Sequence, residues 1–351
     1  MNSYMVIGGQ WGSEGKGLFA GFIANQRQPD TVVCQFGPNA GHTWLENGKP
    51  IVFKSLPVAS IRPSVKTILL GPGSVINPDI LEKELRELAP LLAGKTVYVH
   101  GAAAILMPGD AAYEMGEKGT TKIASTRQGT SEAMVRKIRR SHSELPAHEM
   151  LKHLPCVVVS HSVYMRILDR SNLVQIEGSQ GMDLSINGGF YPYVTSRDCT
   201  PAQVLADCGI HPSDLGMIYA CIRTFPIRVG NITDEEGNMI GYSGPYYQDQ
   251  KEMTWEEVGV KKELTTVTGR VRRVFSFSNI QTLKMIREVR PSLVFLNFCN
   301  YLTGEQADIL AERINGIAGR PIVKWLGWGP NESDIVTLNI NTAPVPPDYR
   351  E

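Results

Sequence analysis

The chain has 351 residues, 42% of them hydrophobic and 20% charged, enough apolar material to bury a large core in one or two domains. Lys+Arg and Asp+Glu each number 35, so the formal charge is zero, which speaks against a nucleic-acid binder and leaves small anionic substrates open. The six cysteines form no CxxC pair and read as reduced thiols, while the absence of a signal-type leader or an apolar run of spanning length points to a soluble cytoplasmic protein with no membrane partner.

In chain order, a short apolar run at 4–7 leads into "GGQWGSEGKG" (8–17), a glycine loop whose backbone N–H groups can cradle phosphate. It departs from the Walker pattern, because Gly15-Lys16 is followed by Gly17. The runs "TVVCQF" (31–36), "TILL" (67–70), "TVYVH" (96–100), "CVVVS" (156–160), "LVQIEG" (173–178), "MIYACI" (217–222), "SLVFLNF" (292–298) and "PIVKW" (321–325) are predicted strands. Apolar spacings of three and four predict helices over 78–92, 279–290 and 303–318. Strands alternating with helices imply an α/β fold around a mostly parallel sheet, and with no dividing linker the whole of 1–351 is expected to be one domain. The polar, glycine- and tyrosine-rich stretch 230–262 reads as a surface excursion, functional or mobile. "FGPNAGHTW" (36–44) adds Asn39, Gly41 and His42, a turn that can present a proton donor to phosphate oxygens.

These two loops, followed in order by "GPGSVINP" (71–78), "EGSQG" (177–181), "YPYVTS" (191–196), "TTVTGRVRR" (265–273) and "GWGP" (327–330), resemble the adenylosuccinate synthetase family, although the chain is compact for it around 145–172. The resemblance implies a P-loop-like synthetase fold, a homodimer, and a two-step ligase. The γ-phosphoryl group of a nucleoside triphosphate passes to the purine O6, and the amine of aspartate then displaces phosphate at C6. It places Gly12, Ser13, Glu14, Gly15, Lys16, Gly17, Gly41, His42, Thr43, Asn300, Gly329 and Pro330 at the triphosphate. Asn39, Thr126, Arg140 (or Arg139), Gln180, Thr195 and Val229 go to the acceptor nucleotide, with Val267, Thr268, Gly269, Arg270 and Arg272 at aspartate. Arg273 offers a third fork for the two carboxylates. Ser13, Lys16, His42 and Gln180 take the catalytic positions, and Mg²⁺ is expected on the phosphates, Ser13 and the Gly41 carbonyl.

Two positions depart from the family pattern. Ser13 stands where the family carries an aspartate that takes the N1 proton of the base, a loss worth about 10²–10⁴ in rate if nothing replaces it. This replacement is similar to the bacteriophage branch of the family, which joins aspartate to dGMP. His42, a water or a phosphate oxygen are candidates to remove the proton. After "SLVFLNF", Phe298 and Asn300 occupy the places of a Lys-x-Asp element that clamps guanine, so ATP or dATP is expected as the phosphoryl donor. The expected partners are thus dGMP, L-aspartate and ATP or dATP. An IMP-specific synthetase and a catalytically silent nucleotide-binding paralogue are the alternatives.

Overall fold

The computed structural model describes residues 2–116, 123–140, 146–265 and 269–339. Its centre is a ten-stranded sheet. In chain order the strands are β1 (Asn2–Gly8), β2 (Thr31–Cys34), β3 (Thr67–Leu70), β4 (Thr96–His100), β5 (Val157–Val159), β6 (Leu173–Gly181), β7 (Leu215–Arg223), β8 (Leu293–Asn297), β9 (Val323–Gly327) and β10 (Ile335–Thr337). Across the sheet they run β10-β9-β8-β7-β1-β6-β2-β3-β4-β5, parallel throughout except for β10.

Both faces of the sheet are covered, and the strands show why. Tyr4 and Val6 of β1 join one core cluster with Leu18, Phe19 and Phe22 of helix α1 (Lys16–Arg27). Met5 and Ile7 point the other way, into a cluster with helices α2 (Asn279–Val289) and α3 (Gly304–Ala318). The predicted helices at 279–290 and 303–318 therefore stand, α3 opening on a capping box from Thr303. The one expected over 78–92 stops at Glu87.

The sheet order fixes where a ligand can enter. The chain leaves β1 toward β2 and later returns through β6, then crosses to β7 on the other side of β1. In parallel sheets such a reversal opens a crevice at the carboxyl ends of the strands. The glycine loop begins there, at Gly8, which pairs with Gly181 of β6 and Cys221 of β7.

The stretch 230–262 is more ordered than a free excursion. Glu252–Met253 pairs with Arg273–Phe275, and the helix Trp255–Val258 buries Trp255 against Ile227 and Val274. Polarity concealed this, because few apolar residues in the stretch reach that cluster: Trp255, Met253, Val258 and Val260, with Trp255 Nε1 donating to the Arg272 carbonyl at 2.8 Å. All six cysteines are free, and no helix among the described residues is long and apolar enough to cross a membrane.

Candidate active site

The glycine loop is held open from within. Gly12, Ser13 and Gly15 all have positive φ, and Asn297 at the end of β8 fills the space beside Gly15 while its Nδ2 donates to the Glu14 carbonyl at 3.2 Å. The side chain of Glu14, placed in the triphosphate set, turns inward. It is fully buried, accepts from the amides of Gln10 (3.1 Å) and Gly12 (2.8 Å), and pairs with Lys16 Nζ at 2.8 Å. It thus presets the loop and the lysine instead of meeting another anion. Gly17 also has a physical reason. A Cβ there would lie 2.8 Å and 2.9 Å from the Thr43 backbone, because the strand His42–Glu46 packs directly on the start of α1. The Walker hydroxyl position is given up so that the histidine strand can approach.

That approach delivers His42. Its Nδ1 lies 2.7 Å from Glu177 Oε1, and Glu177 Oε2 accepts from the Val58 amide at 2.9 Å. An ionised carboxylate only accepts, so Nδ1 carries the proton and Nε2 is the ring nitrogen left for a substrate. Phe36 packs edge-on against the ring at 4.6 Å. Glu177 opens the "EGSQG" stretch read for Gln180 alone, and no sequence spacing joins it to His42, 135 residues away.

Two adjoining cavities occupy the crevice, of about 510 Å³ and 420 Å³. The first is lined by Gly12, Ser13, Gly15, Lys16, Gly17, Gly41, His42, Thr43, Asn300, Gly329 and Pro330 of the expected triphosphate set, together with Arg272. The second is lined by Thr195, Ser243 and Arg228. Asn39, Thr126, Gln180, Val229 and Trp11 border both, so the residues expected at the acceptor and those expected at the phosphates meet at Gln180, itself at φ 64°. Arg228 and Trp11 were not foreseen. The guanidinium lies 4.4 Å above the indole, and burial lowers the pKa of Arg228 to about 10.

Other expected residues fall elsewhere. Arg139 and Arg140, at the end of the helix Thr130–Arg139, are exposed and line neither cavity. Val267 and Thr268 lie outside the described residues. Gly269 adopts positive φ at the turn, and Arg270 donates to the carbonyls of Gly230 (3.2 Å) and Ser125 (3.0 Å) at the edge of the second cavity's wall. Arg273 does not offer its fork to a ligand, since Nε and Nη2 grip Glu252 at 2.7 and 2.6 Å.

Ser13 is exposed, and its oxygens face two guanidiniums: Arg272 Nη1 hydrogen-bonds Oγ, and Arg223 Nη1 donates to the carbonyl at 3.2 Å. In this arrangement the oxygens of Ser13 meet donors of positive charge, a setting that suits an anion's neighbour. Among the described residues no group of three His, Cys, Asp or Glu could hold a metal. A Mg²⁺ carried mainly by phosphate oxygens and water, with Gly41 on the cavity wall, fits that donor set. Near Ser13, Arg223 is fully buried, pairs with Glu263 and lies 3.8 Å over the Phe298 ring.

The model of the adenylosuccinate synthetase family matches residues 5–152 and 144–290. The chain belongs to this family. Two curated relatives, each named N6-succino-2-amino-2'-deoxyadenylate synthase, are 40% identical: one from Salmonella phage PMBT28, covering 94% of this chain and 96% of the relative, and one from Acinetobacter phage SH-Ab 15497, covering 93% and 91%. Among solved structures, the succinoaminodeoxyadenylate synthetase of cyanophage S-2L, bound to dGMP and dATP as an energy donor, has a TM-score of 0.86 and 36% identity over 96% of this chain and 95% of that one. The fully ligated adenylosuccinate synthetase of Plasmodium falciparum shares the family fold, with a TM-score of 0.76 at 19% identity.

Proposed function

We propose that this chain is an N6-succino-2-amino-2'-deoxyadenylate synthase, joining L-aspartate to C6 of dGMP with ATP or dATP as the phosphoryl donor. The observation that carries the reading is Ser13 in place of a carboxylate, in a chain 40% identical over nearly its full length to phage enzymes of that name. A carboxylate at position 13 would accept from both N1–H and N2–H of guanine and clamp its protonated edge; serine removes that clamp.

The residues divide the work. Lys16 and the free amides at the start of α1 draw the phosphoryl group, since a helix N-terminus and its unpaired N–H groups favour an anion. His42, fixed by Glu177, presents Nε2 to the oxygens that gain charge and can give or take a proton there. Gln180 lies between the two cavities and orients the base, while Thr126, Thr195 and Asn39 hold the rest of the nucleotide. Arg270 and Arg272 receive the aspartate carboxylates. Gly41, on the wall of the first cavity, and the phosphate oxygens would hold Mg²⁺, which would supply positive charge beside the transferring group. Asn300 and Phe298 replace a guanine clamp, which supports an adenine donor. The chain is taken to act as one domain over 1–351, as a homodimer, in the cytoplasm.

Phosphate release with aspartate, compared across dGMP, GMP and IMP, tests the reading. Ser13→Asp should shift the ratio of catalytic efficiencies from dGMP toward IMP by about tenfold, or about 1.4 kcal/mol. Wild-type preference for IMP would overturn it.

A further inference from the structure

A single carboxylate joins three loops of the first cavity. Both oxygens of Glu263 face Arg223: Oε2 accepts from Nη1 at 3.3 Å and Oε1 from Nη2. Oε1 also accepts from the Tyr301 hydroxyl at 2.9 Å, and Oε2 lies 3.8 Å from Arg272 Nε. The main chain adds to this, because the Arg272 amide donates to the Glu263 carbonyl at 2.9 Å.

Each partner reaches a different part of the site. Arg223 lies against the Phe298 ring and donates to the Ser13 carbonyl, while Thr224 Oγ1 donates to the Phe298 carbonyl at 2.9 Å and holds that residue at φ 62°. Tyr301 belongs to the same loop, which also carries Asn300 on the cavity wall. Arg272 extends to Ser13 Oγ.

We propose that Glu263 is a positioning residue that locks the donor-base loop to the arginine ribbon, so that the triphosphate and aspartate bind as a coupled pair. The proposal rests on the reading above for the identity of those two ligands. Neutralising Arg223 alone would need neither Tyr301 nor Arg272. Two guanidiniums sharing one carboxylate leave positive charge beside Ser13, and a substrate anion there can displace the neutral hydroxyl from Arg272. A triphosphate that orders Phe298 and Tyr301 thereby orders Glu263, and through it the arginine that aspartate needs. Burial pushes the Glu263 carboxyl upward, but Arg223 and Arg272 hold it below its ordinary value, so it stays ionised as the lock requires.

The test is calorimetric binding of aspartate to the full chain with and without a non-hydrolysable ATP analogue. In the wild type the analogue should tighten aspartate at least fivefold. Glu263→Gln and Tyr301→Phe should each reduce that coupling to twofold or less. Tyr301 lies on the donor loop, so an effect on coupling to aspartate is one that simple support of the fold would not give. Should Glu263→Gln fail to fold, Tyr301→Phe decides alone. Full coupling in Tyr301→Phe, or no coupling in the wild type, overturns the proposal. Absence of phosphate release from dGMP would instead sink the substrate assignment, while the coupling measurement stands independently.

Discussion

Replacing Glu177 with glutamine tests whether the carboxylate behind His42 serves the chemistry. The change keeps size and leaves an oxygen to accept from either Val58 N or His42 Nδ1, whose present distances are 2.9 and 2.7 Å. It removes the charge that balances the ring when Nε2 gives or takes a proton. Glu177 is fully buried and His42 is 6% exposed, so water cannot compensate well. A hydrogen bond to a charged group is worth about 1.5–3 kcal/mol, which corresponds to a factor of about 10–150 in rate if the whole of it is felt in the transition state. Glu177→Gln should therefore lower kcat for aspartate-dependent phosphate release by about 10–100-fold, with KM for dGMP within about threefold. Steady-state kinetics beside a thermal unfolding curve separate this from loss of fold. A folded variant with kcat within about threefold of wild type, or about 0.65 kcal/mol, would refute the reasoning.

Arg270→Leu should raise KM for aspartate about tenfold or more, whereas Arg273→Leu, which breaks the pair with Glu252, should lower Tm and leave that KM within about twofold; equal effects on KM would return Arg273 to the ligand. Asn300→Asp places a carboxylate on the wall of the first cavity and should move the ratio of kcat/KM from ATP toward GTP by about tenfold, about 1.4 kcal/mol; a wild-type preference for GTP would defeat this before any variant is made. His100 is lowered from 6.5 to about 4, chiefly by burial and then by the charges of His161 and Lys137, so the folded chain binds fewer protons than the unfolded one between those values. Its contribution, at most about 3 kcal/mol, is fully present above pH 6.5 and is lost as pH falls through about 4. Urea unfolding from pH 7 to 4 should show a shallower loss in His100→Gln, and identical slopes would refute the assignment.

Motifs made of backbone-shaping residues were legible because their function is local. Glycines that must take positive φ, or must let a strand approach, mark the glycine loop in the letters themselves, as Gly15 and Gly17 do. Short continuous apolar and β-branched runs located the sheet for the same reason. Long-range pairings were not legible. Glu177 and His42 are 135 residues apart, and Glu263 and Arg223 are 40 apart. No spacing rule joins such residues, since the sheet order alone brings the ends of β6 and β7 to either side of β1. The arginine ribbon shows the opposite error. Its three arginines look equivalent in sequence, yet neighbouring side chains on an extended segment face opposite sides, so Arg272 turns to Ser13 while Arg273 turns to Glu252.

That geometry also bears on why position 13 can dispense with a carboxylate. The backbone does not demand serine, because φ 57° is a conformation that aspartate tolerates well. The side chain's partner is more informative. An aspartate opposite Arg272 would form a charge-assisted pair, worth about 1.5–3 kcal/mol, that an incoming substrate carboxylate or phosphate would have to break. A hydroxyl holds the same arginine by a weaker bond and yields it more readily. Under the proposed function, serine thus takes a base from the purine edge and at the same time leaves Arg272 freer to meet an anionic substrate. On this argument the substitution acts on two substrates at once, and its effect on aspartate binding should be read together with its effect on the choice of purine.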